Sequence, residues 1–167
     1  TYVDIDGYNK DKLNAAFAYG GPKLAVKTIG VAKKNNIDIR FKVNDLSGIQ
    51  VAPIDLVIII GNLLDNAIEA CVKLPAGERE IYAQLLLEDT LFLSFRNTSL
   101  PVEIINGYIA TTKKPPDLHG FGLQNVKTAL KKYDSFYDMA YEDGYFAFTI
   151  EMENDSPSAT KNSFFAT

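Results

Sequence analysis

The stretch Gly61-Asn62-Leu63-Leu64-Asp65-Asn66-Ala67-Ile68-Glu69-Ala70-Cys71 constrains this chain more than any other. At about 100° per residue, Val57, Ile60, Leu64, Ala67, Ile68 and Cys71 fall on one side of a helix. Asn62, Asn66 and Glu69 stack on the opposite side, at spacings i, i+4 and i+7. Pro53 stands where a first helical turn tolerates a missing N–H. The amide-bearing front has two readings: a solvated surface, or a set of oxygen donors. Asn is a mediocre helix former, and two of them one turn apart in mid-helix are locally unfavourable. Side-chain carbonyl oxygens facing one way suit a hard cation such as Mg2+, which keeps several waters and is shared with substrate phosphates. The second reading requires a phosphate site elsewhere in the chain.

The 167 residues suit one ordinary domain with a real core, and 47% hydrophobic against 23% charged residues describes a soluble globular protein. A formal net charge of -4 gives no electrostatic argument for nucleic acid, so none is expected as a partner. The single cysteine, Cys71, cannot close an internal disulfide; on the apolar helix face it reads as a buried, inert thiol, in keeping with a reducing compartment. The stretch shows neither a membrane-spanning apolar run nor a signal peptide, which also fits a piece of a larger membrane protein.

Residues 1–18 are polar with scattered aromatics and read as a linker or the end of a helix from an upstream domain. After Tyr19-Gly20-Gly21-Pro22, the positions Leu24, Ala25, Thr28, Ile29 and Ala32 give helical periodicity that ends near Lys33-Lys34-Asn35-Asn36. Ile37, Ile39, Phe41 and Val43 alternate with polar residues as a half-buried strand. Beyond the central helix, residues 80–88 and 91–96 alternate around Glu88-Asp89-Thr90, a hairpin whose second strand stops at Arg96-Asn97-Thr98-Ser99. Residues 98–119 lack periodicity apart from a helical turn expected around Val102 to Tyr108; an irregular segment this long is a functional loop or a disordered one. A helix opens at His119-Gly120-Phe121-Gly122-Leu123, with Leu123, Val126, Leu130 and Tyr133 on one face. Two strands near 135–141 and 145–151 flank Glu142-Asp143-Gly144, a good hairpin signal, and residues 154–167 read as a tail. This order predicts an α+β fold, helices covering one face of a largely antiparallel sheet.

Gly120 and Gly122 at a helix start permit close backbone approach, and the N–H groups and dipole there favour an anion; the alternative is a plain tight turn. Thr111-Thr112-Lys113-Lys114 adds hydroxyl and ammonium donors suited to phosphate oxygens, or is an exposed polar loop. Asn97 offers an amide to a ligand base, or makes an Asx turn.

Together, in this order, these features resemble the gyrase, chaperone, histidine-kinase and mismatch-repair (GHKL) ATPase superfamily. The nearest likeness is to the ATP-binding domain of bacterial sensor histidine kinases, in the branch of citrate-sensor-like and quorum-sensing peptide-receptor kinases. Gly61 to Cys71 is similar to that branch's N box, His119-Gly120-Phe121-Gly122-Leu123-Gln124-Asn125-Val126 to its second glycine box, and Thr111-Thr112-Lys113-Lys114 to its lid. The resemblance implies a Bergerat-type two-layer α/β sandwich, with helices on one face of a mixed, largely antiparallel sheet, and residues 19–153 as the catalytic domain. It implies ATP and Mg2+ as cofactors, with Asn66 the Mg2+ ligand and Asn62 beside it, these two being the catalytic and metal residues. Thr112, Lys113, Lys114 and His119 would belong to the lid. Gly120, Phe121, Gly122 and Leu123 would form the phosphate turn, where Gly120, Gly122 and Leu123 offer backbone N–H groups, and Asn97 would meet adenine.

Two departures bear on chemistry. Where most members have Asp-x-Gly-x-Gly, this chain has Asn97-Thr98-Ser99-Leu100-Pro101, so the adenine amino group would meet a carbonyl oxygen without charge assistance. ATP-splitting relatives carry a Glu one turn before the Mg-binding Asn; here that position is Asn62, an amide unable to take a proton from water, and slow hydrolysis is expected. The resemblance further implies a cytoplasmic domain of a membrane-bound sensor that is a homodimer at full length, with a response regulator as partner. The γ-phosphoryl would pass to a His on an upstream dimerisation domain. The one histidine present, His119, sits beside the glycine box, so this chain is not expected to phosphorylate itself. Two other readings stand beside this one: a degenerate, non-catalytic nucleotide-binding module, and a serine kinase of the anti-sigma-factor type.

Overall fold

The computed structural model describes residues 3–4, 22–110 and 121–157, with side chains over 27–110 and 122–157. Helix α1 spans Pro22–Lys34 and ends on Lys33 and Lys34, cations suited to a helix C-terminus. Strand β2, Asp38–Val43, follows it. Helix α2, Pro53–Cys71, opens with proline in its first turn. Strands β3 (Glu80–Leu87) and β4 (Thr90–Thr98) form the first hairpin. The two-residue strands β5 (Ile104–Ile105) and β6 (Tyr108–Ile109) pair by themselves. Helix α3, Phe121–Leu130, leads into β7 (Ser135–Glu142) and β8 (Tyr145–Glu153).

Five strands make one mixed sheet in the order β2-β3-β4-β8-β7, extended beyond β2 by the two-residue strand β1, Val3–Asp4. Only β2 and β3 pair in parallel, and α2 is the crossover that joins them. Every other neighbour in this sheet is antiparallel. The helices lie on one side of it, as the expected two-layer architecture requires.

Burial follows the period of two along each strand. Ile39 and Phe41, Ile81, Ala83 and Leu85, Leu91, Leu93 and Phe95, and Phe148, Ile150 and Met152 turn to the helix layer. Helix α2 buries a wider stripe than its periodicity suggested: Leu56, Ile59 and Leu63 join Ile60, Leu64, Ala67, Ile68 and Cys71, whereas Val57 is only half-buried. The extra breadth arises because α2 packs on the sheet and on α3 at once. Cys71 is fully buried, as expected, and burial pushes its thiol above the ordinary cysteine range.

Two local expectations are corrected. Residues around Val102 to Tyr108 form no helical turn but the β5–β6 hairpin, closed by Asn106 (φ 51°) and Gly107 (φ 75°). Positive φ at both central residues is the type I′ turn whose twist matches flanking strands. Strand β4 does not stop at Arg96 but runs through Thr98, because Asn97 pairs with Ile81 on one side and Phe146 on the other. The Asp143–Gly144 turn between β7 and β8, with φ 51° and 83°, is as expected.

Candidate functional site

Asn62 and Asn66 occupy successive turns of α2 on its half-buried flank. Asn62 Nδ2 donates to Ile58 O at 2.6 Å, bonding back one turn along its own helix. Opposite them lies the first turn of α3. A Cβ on Gly122 would stand 3.1 Å from Asn62 Oδ1, 3.3 Å from Asn66 Oδ1 and 3.4 Å from Asn66 Nδ2. Glycine is required at this point by close approach and not by a left-handed backbone.

Asn66 Nδ2 is the one buried side-chain nitrogen or oxygen among the described residues with no hydrogen-bond partner. Such an orphan costs about 1–3 kcal/mol unless a ligand satisfies it. The first turn of α3 faces the same point, and its leading N–H groups have no partners within the helix. An amide oxygen for a hard cation and an amide N–H for an anionic oxygen therefore meet the positive end of a helix.

Asn97 lies inside β4, on the face turned to the helices, and is 3% exposed. Its Nδ2 donates to Thr98 O at 2.9 Å. It is therefore not a strand-end residue free to make an Asx turn. Next to it, Thr98 Oγ1 accepts from Glu80 N at 2.9 Å and approaches Cys71 Sγ at 3.6 Å, which ties the end of α2 to the end of β4. Leu123 is half-buried in the α3 interface and Glu69 is exposed. Of Phe121 the backbone alone is described, as the first residue of α3. Thr112, Lys113, Lys114, His119 and Gly120 lie outside the described residues.

Periodicity missed one constellation. Asp55, in the first turn of α2, is only 1% exposed. Its Oδ1 accepts from Lys132 Nζ and its Oδ2 from Tyr133 Oη, each at 2.7 Å. Tyr133 Oη in turn accepts from Ala52 N at 3.1 Å. Burial and the bond to Asp55 push the Tyr133 hydroxyl well above the ordinary tyrosine range. The available signal was an Asp inside an otherwise apolar helix start; its partners, far along the chain, gave none.

A cavity of about 350 Å³ lies on the flank of α3 beside β7, lined by Tyr108, Gln124, Lys127, Tyr133 and Tyr137 among others. None of the three site asparagines lines it. Lys127 Nζ instead fastens the β5–β6 hairpin there, donating to Gly107 O at 2.8 Å and standing 4.2 Å from the Tyr108 ring centre.

The model of a family described as the GHKL domain matches residues 51–153. Among solved structures, the catalytic domain of histidine kinase ThkA superposes with a TM-score of 0.65 at 17% identity, covering 94% of this chain and 97% of that one. The Acinetobacter baumannii histidine kinase AdeS gives 0.58 at 15% identity over 92% of this chain and 68% of its own. The mycobacterial sensor histidine kinase MprB gives 0.52 at 19% identity over 95% and 100%. A search of curated proteins found no match. At these identities the solved structures establish a shared fold.

Proposed function

The chain belongs to the GHKL domain family, and from that premise we propose that it is the ATP-binding catalytic domain of a sensor histidine kinase. In this reading it binds Mg-ATP between α2 and the start of α3 and passes the γ-phosphoryl to a histidine on an upstream dimerisation domain, from which a response regulator takes it. The full-length protein is then a homodimeric sensor with this domain in the cytoplasm. The observation that carries the reading is the contact of Gly122 with Asn62 and Asn66. It supports the reading because the start of α3, proposed to hold phosphate, lies against the two amides proposed as oxygen donors.

The residues fit a magnesium ion. Asn66 presents a neutral amide whose buried nitrogen has no partner, and Gly122 leaves room that any Cβ would fill. Among the described residues no group of three His, Cys, Asp or Glu side chains is placed to hold a metal. A site with few protein ligands is what Mg2+ shared with phosphates uses. Asn66 Oδ1 would hold the ion, with Asn62 Oδ1 beside it. When bound, Mg2+ neutralises phosphate charge and so favours approach of a nucleophile. The chain's own residues orient and shield. Asn66 Nδ2 would donate to a phosphate oxygen, and the Gly122 and Leu123 N–H groups would hold the phosphate chain at the positive end of α3. Asn62 accepts no proton and its nitrogen is committed to Ile58 O, so water next to the γ-phosphoryl is not activated. Asn97 Oδ1 would accept from the adenine amino group at the base of the pocket.

Calorimetric titration with ATP, with and without Mg2+, tests the reading. Mg-dependent binding that Asn66→Ala abolishes is expected. Absence of binding by folded protein at millimolar ATP would sink it, and would favour a degenerate module in which Ser99-Leu100-Pro101 replaces the family's glycines.

A further inference from the structure

We propose that Asp55, Tyr133 and Lys132 form a positioning latch that sets how closely α3 brings Gly122 to Asn62 and Asn66. The significance of this for nucleotide affinity rests on the function proposed above; the geometry of the latch does not.

Helices α2 and α3 run antiparallel in contact: Gly122 meets Asn62 and Asn66, while Tyr133, further along, meets Asp55 and Ala52. The same number of residues separates Asp55 from Asn66 as separates Gly122 from Tyr133. The interface is thus pinned near one end by polar bonds, and at the other Gly122 lies so near the Asn62 and Asn66 side chains that a Cβ would crowd them. The polar end is rigid for three reasons. Asp55 is buried with both carboxylate oxygens engaged, so neither partner leaves without exposing a desolvated charge. Ala52, the residue before the helix, has no side-chain oxygen to cap α2, and its own N–H, the donor that a capping-box side chain would otherwise reach back to, is held instead by Tyr133 Oη. The Tyr133 ring is itself 2% exposed, so its hydroxyl has no alternative position in solvent. At the other end, a Gly122 that already leaves only 3.1 Å for a Cβ tolerates little drift before the amides separate from the α3 turn or collide with it. Lys132 is half exposed and neutralises the carboxylate from the rim.

The test uses this chain with 15N labelling. In the ligand-free protein, Tyr133→Phe is expected to shift the backbone resonance of Gly122 and the side-chain amide resonances of Asn62 and Asn66, remote from the substitution. Lys132→Met, which keeps the Asp55–Tyr133 bond but removes the charge partner of a buried carboxylate, should lower stability and shift the same resonances less. Calorimetry with Mg-ATP should show affinity about fivefold to tenfold weaker for Tyr133→Phe, part of the worth of the two hydrogen bonds it deletes. Leu91→Ala, a buried truncation in β4, is the control for general loss of stability. Shifts confined to residues near Ala52, Asp55 and Tyr133, or equal effects from Leu91→Ala, would overturn the latch and leave a simple brace. If the wild-type chain binds no Mg-ATP, the functional reading fails, and the ligand-free spectra still decide the latch.

Discussion

A methyl group on Gly122 would press on two amides that have little room to retreat: Asn62 is bonded to its own helix, and Asn66 is buried at its nitrogen. Gly122→Ala is therefore expected to cost stability on the overpacking scale of about 1–3 kcal/mol and to weaken Mg-ATP binding out of proportion. Parallel melting curves and titrations would check this; unchanged affinity would place the phosphates elsewhere. Asn97 poses a different question. If its carbonyl oxygen meets the adenine amino group, the chain should prefer ATP to inosine triphosphate, which lacks that group, by about 0.5–1.5 kcal/mol. Asn97→Ala should erase the preference while weakening both. A preference that survives the substitution would remove Asn97 from the base site. At this scale the sequence was informative about residue type and poor about surroundings. That Asn62 and Asn66 share a helix face followed from spacing alone. That Asn97 is interior to a strand did not, because the inward positions Leu91, Leu93 and Phe95 end their apolar run just where a polar residue continues the alternation.

Helix α2 was legible because its long periodic pattern permitted no other element. The β5–β6 hairpin was not, since strands of two residues show no alternation, although Asn106-Gly107 is itself a strong turn signal. Helix termini depend on partners that periodicity never reveals. Just beyond the far end of α2, Arg79 donates to Leu74 O at 2.9 Å and to Asn35 O at 2.6 Å, holding the turn that follows the helix to the loop after α1. Arg79→Met keeps most of the aliphatic stem and deletes these bonds. A loss of about 1–3 kcal/mol is expected, since each is a bond to a charged donor. The melting temperature should fall by about 2–4 °C per kcal/mol for a chain of this size. No change in melting would show these bonds to be replaceable by water.

Among the described residues the thiol and the phenols with shifted titration all move upward, whereas the exposed Asp45 carboxyl, hydrogen-bonded by Ser47, moves down. Burial raises the Cys71 thiol above its ordinary 9.0; burial and the Asp55 bond raise Tyr133; and the bond to Glu80 pushes Tyr145 up to about 12. An acid whose folded value lies above its unfolded one contributes stability that is complete below the unfolded value and is lost as pH climbs toward the folded one. Stability should hold through neutral pH and decline from about pH 9 upward, with Cys71→Ala removing the earliest part of that decline. A melting temperature independent of alkaline pH would contradict it. No helix among the described residues is long and apolar enough to cross a membrane. The sheet order has one more result, which concerns synthesis. Strand β4 lies between β3, made just before it, and β8, made long after. A chain still emerging from the ribosome carries Leu91, Leu93 and Phe95 on an open strand edge until the last strand arrives to cover it. While the stretch from Ser99 to Tyr145 is being made, that edge is open to pairing with other chains.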